Sequence, residues 1–462
     1  MNWNWKFRAV WILCLGVNDM CREMKDSGIA WLGQVPKKWT ITRMKSCILR
    51  RDSGAWGNEP QNNENDIICL RIADFDYKKY RFKEASIDKL TVRNYSNEVI
   101  EKLILSNGDI LIEKSGGGEK TPVGRTVIFD KSYKALYANF CDRIRCRDIV
   151  LPDYMQYVLV AFYQNKYVWN YIKQTTGIQN LDLTTMFSVE KVALPSLEEQ
   201  NRIVTFLSKK CANIDTVTEQ TEDSIRNYKK MKQALIVRSV TNGLQNKRTI
   251  KDSGVEWIGE IPEEWHVYRI ANLYQERSES GLEDLPILTV SINTGVSDRE
   301  IADEEKDRVF VRSEDRTKYK RVYPGDLVYN MMRAWQGAFG AVRVEGMVSP
   351  AYVVAKPKDG IEIDSRYMEA LLRTSEATEE MHRYSRGIVD FRLRLYWPEF
   401  KNIRICLPPI EEQREIADYI DKKNEEIDRL IKKKEQFISE LENYKKSLIY
   451  EYVTGKKEVP ES

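Results

Sequence analysis

The sequence predicts an α+β fold in which two similar globular domains are separated by a pair of long antiparallel α-helices, with internal pseudo-two-fold symmetry. One reason is a repeat: residues 25–39 return as 251–265, with Lys-Asp-Ser-Gly-x-x-Trp-x-Gly-x-x-Pro-x-x-Trp in both copies. A second is that Leu-Pro-x-x-Glu-Glu-Gln opens a long charged stretch at Leu194 and again at Leu407. The regions between these joints differ, so the repeat indicates two half-proteins that share their joints and not their middles.

Each charged stretch is predicted to be one continuous helix. Neither Gly nor Pro interrupts 198–242 or 411–454, and acidic residues cluster in the first turn, where the helix dipole favours them. Each helix would hold about 43 residues and extend about 65 Å. The apolar residues recur on a heptad, at Ile203, Leu207, Ile214, Val217, Tyr228, Met231 and Leu235 in the first stretch and at Ile416, Ile420, Ile427, Leu430, Phe437, Leu441, Tyr444 and Leu448 in the second. A helix with one apolar seam needs a partner. Its own repeat is the preferred partner, and a coiled coil between copies of the chain is the alternative.

The spacing of the repeats also assigns a place to the first copy. The interval from Leu194 to Lys251, counted again from Leu407, ends just beyond Ser462. No third copy follows the second helix, so residues 25–46 are expected to fill that place beside its end.

Composition sets broad bounds. At 462 residues, with 42% hydrophobic and 31% charged residues, the chain has room for about three domains and the composition of a globular protein. A net charge of +3 neither demands nor excludes nucleic acid, because a basic face can be balanced by an acidic one. Eight cysteines without a C-x-x-C pattern are typical of reduced thiols in a cytoplasmic protein.

The N-terminal residues 1–24 are expected to be an extension that is disordered or that precedes the true start. Their apolar run, 7–17, is too short to span a bilayer, so no membrane association is predicted; an export signal is the alternative. The predicted order is therefore the extension 1–24, a first domain 25–193, a first long helix and linker 194–250, a second domain 251–406, and a second long helix and tail 407–462.

The two middles are predicted to share one mixed fold. Strand-like segments at 109–112 and 326–329 are followed by helix-like stretches at 152–173 and 364–384. Three further landmarks recur in order: Gly108-Asp109 with Gly325-Asp326, Tyr154-Met155 with Tyr367-Met368, and Gly177-Ile178 with Gly387-Ile388. One fold with two different surfaces is what two different targets would require.

The residues favour a protein without catalysis of its own. Only two histidines are present, His266 and His382, which disfavours histidine chemistry and zinc ligation, and no metal site is predicted. The glycine run at 116–121 lacks the Gly directly before Lys that a phosphate-binding loop needs, and no Gly-x-Gly-x-x-Gly opens a helix after a strand. The Leu407-Pro408-Pro409-Ile410 segment lacks the flanking polar and aromatic residues of a methyltransferase motif.

The chain from about 25 to 462 resembles the specificity subunits of type I restriction–modification enzymes. The resemblance is carried by the two Lys-Asp-Ser-Gly segments, the Leu-Pro-x-x-Glu-Glu-Gln helix openings, the Ile-Asp pairs at 214–215 and 427–428, and the Val-Thr-Gly ending at 453–455. The extension at 1–23 and the Val240-Thr241-Asn242-Gly243 ending depart from it. The resemblance implies two target-recognition domains that each read one half of a split DNA sequence, with the helix pair setting the gap. It also implies no cofactor in this subunit, and partner subunits for methylation and restriction that use S-adenosylmethionine, ATP and magnesium.

DNA contacts are expected from loops that carry Arg, Lys, Asn and Gln, because these side chains pair with base edges and phosphates. The segments 114–125 and 176–180 are candidates in the first domain, and 330–340 and 386–392 are their counterparts in the second. The predicted DNA-binding residues are Lys114, Ser115, Lys120, Thr121, Arg125, Gln179, Asn180, Asn330, Arg333, Trp335, Gln336, Arg386 and Arg392. Ordinary solvated turns are the alternative for each loop.

Docking of methyltransferase subunits, expected to number two, is predicted at the duplicated helix openings. The residues concerned are Glu198, Glu199, Gln200, Glu411, Glu412 and Gln413. Helix capping explains the acidic residues almost as well. The competing interpretation of the whole chain is a DNA-independent protein scaffold with a coiled-coil core, and an enzyme that cuts DNA alone is disfavoured by the missing motifs.

Overall fold

The computed structural model describes residues 22–118, 121–175, 177–245, 247–300, 318–388 and 392–460. The described chain forms two compact units. The first unit contains the residues up to Glu222 together with those from Glu435 onward, and the second runs from Asp223 to Lys434. Each unit therefore contains one globular region and a portion of both long helices.

The first unit is a mixture of short strands and helices. Its elements, in chain order, are β1 (Met24–Asp26), β2 (Gln34–Pro36), β3 (Thr40–Arg43), β4 (Ile48–Ser53), β5 (Asp66–Leu70), β6 (Phe75–Asp76), β7 (Arg81–Phe82), β8 (Val92–Asn94), α1 (Asn97–Leu103), β9 (Ile110–Glu113), β10 (Ser115–Gly116), β11 (Thr126–Ile128), β12 (Ala135–Tyr137), β13 (Cys141–Cys146), α2 (Pro152–Gln164), β14 (Ile172–Thr175), β15 (Ile178–Leu181), α3 (Leu183–Val189), β16 (Lys191–Leu194) and the first long helix, α4 (Leu197–Asn242), which continues into the second unit.

The second unit repeats much of this order. Its elements are β17 (Ile250–Asp252), β18 (Glu260–Pro262), β19 (His266–Arg269), α5 (Ile270–Leu273), β20 (Tyr274–Glu276), β21 (Val290–Ser291), β22 (Gly295–Val296), β23 (Lys320–Val322), β24 (Leu327–Asn330), β25 (Phe339–Ala341), β26 (Gly346–Val348), β27 (Tyr352–Pro357), α6 (Ser365–Leu372), α7 (Ser375–Tyr384), α8 (Trp397–Phe400), β28 (Arg404–Leu407) and the second long helix, α9 (Ile410–Val453), which ends in the first unit.

Both units are built on the same four-stranded antiparallel sheet. The strand order is β11-β9-β13-β4 in the first unit and β25-β24-β27-β20 in the second. In the first unit, alternate residues of strand β9 face opposite cores, because the sheet is covered on both sides at this strand. Ile110 and Ile112 join the core that contains α2, whereas Leu111 joins a second core. The predicted α+β class is confirmed, with two similar domains and two long antiparallel helices.

The aspartate of the recurring Gly-Asp pair stabilises the turn that precedes the central strand β9 or β24. The Asp109 carboxylate accepts the backbone N–H of Ser106 at 2.8 Å, and the Asp326 carboxylate accepts that of Tyr323 at 2.9 Å. Both aspartates are buried and pair with an arginine: Asp109 with Arg145 at 2.6 Å, and Asp326 with Arg277 at 3.1 Å. These pairs fix the start of the central strand, so the landmark has a structural role in both units.

The two long helices have the predicted length, but their buried seam differs from the predicted heptad. In α4 the buried positions after Leu207 and up to Ile225 are Cys211, Ile214, Thr218, Thr221 and Ile225, and from Leu207 onward they are spaced alternately by four and three. Val217 and Met231 are exposed, as are Leu430 and Tyr444 in α9, so these four assignments to the seam were wrong. The heptad pattern missed part of the buried seam because two of its positions are threonines. Threonine can be buried here since its hydroxyl bonds to the helix backbone: Thr218 donates to the Ile214 carbonyl at 2.9 Å, and Thr221 donates to the Val217 carbonyl at 2.7 Å.

The helices pair within the chain, as preferred over a coiled coil between copies. In the first unit the Lys445 ammonium of α9 bonds both carboxylate oxygens of Asp215 on α4, at 2.6 and 2.8 Å. In the second unit Lys232 of α4 bonds Asp428 of α9 in the same way, at 2.9 and 2.8 Å. Burial raises the pKa of Asp215, although Lys445 opposes this. No helix among the described residues is both long and apolar enough to cross a membrane.

The repeated segments clamp the N-terminus of each long helix. The indole Nε1 of Trp39 donates to one carboxylate oxygen of Glu199 at 3.0 Å, and Arg22 pairs with the other at 2.7 Å. In the second unit Trp265 and Arg248 hold Glu412 in the same way, at 3.0 and 2.6 Å. This clamp explains why Trp and Glu-Glu recur together. Arg22, which lies inside the predicted extension 1–24, belongs to it; residues 1–21 lie outside the described residues.

The helix C-termini are held by the same repeats. The Tyr450 hydroxyl donates to the Trp31 carbonyl at 3.0 Å, and the Lys456 ammonium donates to that of Leu32 at 2.6 Å. The first copy therefore lies beside the end of the second helix, as its spacing predicted. A buried tyrosine completes each joint: Tyr154 donates to the carbonyls of Ala193 and Val453, both at 3.1 Å. Tyr367 contacts the carbonyls of Val240 and Cys406, at 3.1 and 3.4 Å.

The contact of Trp39 and Arg22 with Glu199 predicts that Glu199 contributes more to stability than its neighbour Glu198. Glu199→Ala removes the acceptor of both Trp39 and Arg22, which are left without it in a largely buried joint, and should lower the free energy of unfolding by about 2 kcal/mol. Glu198→Ala, at an exposed neighbouring position, is the matched control and should change it little. Urea denaturation of both variants measures this. Equal losses would mean that the acids act only on the helix dipole.

Candidate nucleic-acid interface

Two segments predicted to bind DNA lie side by side in the first unit. Strand β10 pairs with β15, and β15 pairs with β14, so that a three-stranded ribbon forms. Ser115 lies opposite Asn180 and donates its hydroxyl to the Asn180 amide oxygen at 2.6 Å. The structure therefore brings the glycine-rich loop and the 177–180 segment together on one surface.

Within this ribbon, Gln179 faces inward and supports the loop. Its side chain is buried, and its amide oxygen accepts the backbone N–H of Val123 at 3.2 Å. Gly117 has a φ of +65°, and an added Cβ would come within 3.0 Å of that amide oxygen and of the Val123 nitrogen. Glycine is thus required at this position, and Gln179 holds the loop that Asn180 flanks.

Arg125 is held by an internal ion pair. Its guanidinium makes two hydrogen bonds of 2.8 Å to the carboxylate of Glu113, which is buried, and lies 3.7 Å from the centre of the Tyr77 ring. The Tyr77 hydroxyl donates to the same carboxylate, and burial together with the charge of Glu113 raises the pKa of Tyr77. The cluster of Arg125, Glu113 and Tyr77 therefore holds the base of the glycine-rich loop in place.

The remaining first-unit candidates differ in exposure. The Lys114 ammonium bonds the Ser53 hydroxyl and pairs with Asp142 at 2.9 Å, leaving a quarter of its side chain exposed. Thr121 is exposed at a turn closed by reciprocal backbone bonds with Gly118, of 3.1 and 3.2 Å. Lys120 lies outside the described residues. Asn180 and Thr121 are the exposed members of this set.

The second unit also joins its two candidate segments. The backbone N–H of Leu395 donates to the Met331 carbonyl at 2.9 Å. The backbones of Arg386 and Arg394 are joined by two hydrogen bonds, in each of which the N–H of one residue donates to the carbonyl of the other at 2.9 Å. Asn330 closes its own loop, because its amide oxygen accepts the Met332 N–H at 3.0 Å.

Some side chains of these second-unit loops pack against the protein, and others are exposed to solvent. Trp335 packs edge-on against His382, with ring centres 5.3 Å apart, and Arg333 is half-buried. Gln336 and Arg392 are exposed. The Arg386 guanidinium pairs with Glu399, yet 74% of its side chain is exposed.

Sequence reasoning missed three exposed groups near the candidate loops. Lys173 lies opposite Asn180 on β14 and is 73% exposed while paired with Asp182 at 2.8 Å. Ile178 and Ile388 follow the matched glycines, Gly177 and Gly387, and both are exposed. No alternating pattern marks 172–175, where Lys173 and Gln174 are both exposed, so the placement of all three groups depends on tertiary structure.

The duplicated Glu-Glu-Gln residues have three separate placements. Glu198 and Glu411 are exposed, and Glu199 and Glu412 belong to the tryptophan clamps. Gln200 and Gln413 are buried. The Gln200 amide accepts the Leu151 N–H at 2.8 Å and donates to the carbonyls of Ile149 and Pro195, both at 3.1 Å. The Gln413 amide accepts the Asp364 N–H at 3.0 Å and donates to the Pro408 carbonyl at 2.8 Å. Of these six side chains, Glu198 and Glu411 are the most accessible to a partner.

Comparisons with known proteins agree with this architecture. Residues 61–227 match the family model described as the type I restriction modification DNA specificity domain. The chain is 26% identical over 384 residues to the type I restriction enzyme MjaVIII specificity subunit of Methanocaldococcus jannaschii, covering 77% of this chain and 80% of that protein. It is 24% identical over 443 residues to the putative MjaX specificity subunit of the same organism, covering 92% and 95%.

A solved structure concerning assembly and conformational transition of the type I R-M system contains a chain with the same fold. The TM-score is 0.64 at 14% identity, covering 92% of this chain and 99% of that one. The fold is therefore shared with that chain, and residues 61–227 are similar to a type I DNA specificity domain. Over most of its length the chain is similar to specificity subunits of type I restriction enzymes.

We expect the Arg125–Glu113 ion pair to contribute to the stability of the first unit. Arg125→Ala leaves a buried carboxylate uncompensated and should lower the free energy of unfolding by about 3 kcal/mol. Arg125→Leu combined with Glu113→Gln removes both charges and keeps an acceptor for Tyr77, so most of the stability should return. Denaturation midpoints of the two variants give the comparison. If the single variant is as stable as the unaltered chain, the pair does not support the loop.

Proposed function

We propose that this chain is the DNA sequence-recognition subunit of a type I restriction–modification complex, and that each unit reads one half of a split site. The observation that carries this is the pair of matched surfaces: both units place two loops together at one end of the same four-stranded sheet, yet the side chains on those loops differ. A common scaffold with divergent loops suits two readers of different sequences.

The exposed groups have the chemistry of base and phosphate contacts. The Asn180 amide suits adenine, which offers both an acceptor and a donor in the major groove, and Gln336 can serve in the same way in the second unit. Lys173, Arg386 and Arg392 suit phosphates, which position a protein on the duplex without reading sequence. Gln179 and Arg125 contribute by holding the first loop in shape.

The partners follow from the same proposal. Two methyltransferase subunits would dock beside the openings of the long helices, where Glu198 and Glu411 are exposed, and restriction subunits would join them. S-adenosylmethionine, ATP and magnesium would be used by these partners, so that this chain contributes recognition and no catalytic step. The cytoplasm, where DNA and partners are present, is the proposed location.

Modularity tests the proposal directly. A chimera in which residues 47–193 are replaced by the corresponding domain of a relative should modify a site with one altered half, because each domain lies between repeated joints. Mapping of modified bases in cells that carry the chimera and its partners gives the result. The reciprocal replacement of 273–406 is the control and should alter the other half. A chimera that changes both halves, or neither, would contradict independent reading.

The helix pair is proposed to set the gap between the halves. One added heptad in each helix, near Thr221 in α4 and at the equivalent Lys434 in α9, keeps both seams in register. Seven residues add about 10 Å, close to three base pairs at about 3.4 Å each. The mapped site should keep both halves while the gap grows by about three base pairs.

The control for this insertion places seven residues in the exposed turn at Asp359-Gly360, away from both long helices. It should leave the gap unchanged. An active double-insertion variant with the original gap would show that the helices do not set the distance.

A further inference from the structure

One face of the first-unit ribbon carries an unexpected apolar side chain at its tip. Strand β15 alternates between exposed and buried residues, with Ile178 and Asn180 outward and Gln179 and Leu181 inward. Asn180 lies between Ser115 and Lys173 on the neighbouring strands, so the rest of this outward row is polar. Ile178 is 51% exposed at the position where strand alternation predicts a polar residue.

The second unit repeats this feature although its loops have diverged. Ile388 follows Gly387, the counterpart of Gly177, and is 98% exposed. It lies beside Arg386, whose backbone is bridged to Arg394 and whose side chain is mostly exposed. A single exposed aliphatic residue is ordinary, but these two follow matched glycines in the two units, and packing among the described residues covers neither.

We propose that Ile178 and Ile388 each contact the C5-methyl group of a thymine in the major groove of their half-site. The inference rests on the proposed function and names a specificity contact within it. The thymine methyl is the apolar group on the major-groove edge of the natural bases, and side chains of this kind recognise it by direct contact. The major groove admits a two-stranded β-ribbon, and at Ile178 the ribbon has two strands, because β10 pairs with β15 only at Gln179 and Asn180.

The geometry of the ribbon limits where the thymine lies. Two residues along a strand span about 7 Å, close to two base-pair steps of about 3.4 Å. A strand that follows the groove therefore places the thymine contacted by Ile178 about two base pairs from the base contacted by Asn180. Lys173, opposite Asn180, then lies on the side of the ribbon that borders the phosphates.

Replacement of thymine by uracil tests the contact, since uracil lacks only the methyl group. The full chain, assembled with its methyltransferase subunits, is titrated with duplexes of the mapped site in which each thymine is replaced in turn. One replacement in the half read by the first unit should weaken binding about fourfold, the ratio expected for loss of one buried methyl group. In Ile178→Ala the same replacement should have no effect, and Ile388→Ala should abolish the corresponding effect in the other half.

Matched controls separate this contact from general apolar effects. Ile87→Ala removes a side chain that is 57% exposed in the first unit, outside the ribbon, and Ile361→Ala does the same at a 39% exposed position in the second unit. Both should keep the full uracil penalty. A half-site without any A·T pair, or a uracil penalty that persists in Ile178→Ala, would overturn the inference while leaving the proposed function intact. Absence of site-specific binding by the unaltered complex would overturn both.

Discussion

The structure depends on the hydrogen bond between a buried tryptophan and the second glutamate of each long helix. Trp39 with Glu199 and Trp265 with Glu412 tie the repeated segments to the helices, and an arginine completes the charge pairing in both. Because the carboxylate lies in the first helical turn, the same contact joins a globular region and sets where the helix begins. A charged acceptor shared by two donors is stronger than a neutral pair and is costly to lose in a protected site.

These joints allow the rest of each unit to vary. Much of the charge on the loops predicted to bind DNA is paired within the protein: Arg125 with Glu113, Lys114 with Asp142, and Arg386 with Glu399. Such pairs hold the loop backbone while a small number of exposed side chains, among them Asn180 and Ile178, face outward. Under the proposed function, a change at an exposed position alters recognition without loss of the fold, whereas a change in an ion pair alters the loop itself.

The sequence predicted the repeat-defined architecture closely, whereas the DNA-binding site stays a prediction. The absence of Gly and Pro located both long helices to within a residue or two, because helix continuity is a local property. The seam was partly wrong, since Thr218 and Thr221 satisfy their own hydroxyls and can be buried where apolar residues were expected. The candidate loops of each unit lie together, but the direction of each side chain depends on strand pairing: adjacent Gln179 and Asn180 face opposite ways, and Gln200 is buried although it follows two glutamates.

The most direct measurement of the central claim is a map of modified bases in cells with and without the unaltered chain, in the presence of its partner subunits. Two units that each read DNA predict a motif with two specified tracts separated by an unspecified gap, present only when the chain is present. A single uninterrupted motif, or modification that does not depend on the chain, would contradict the account.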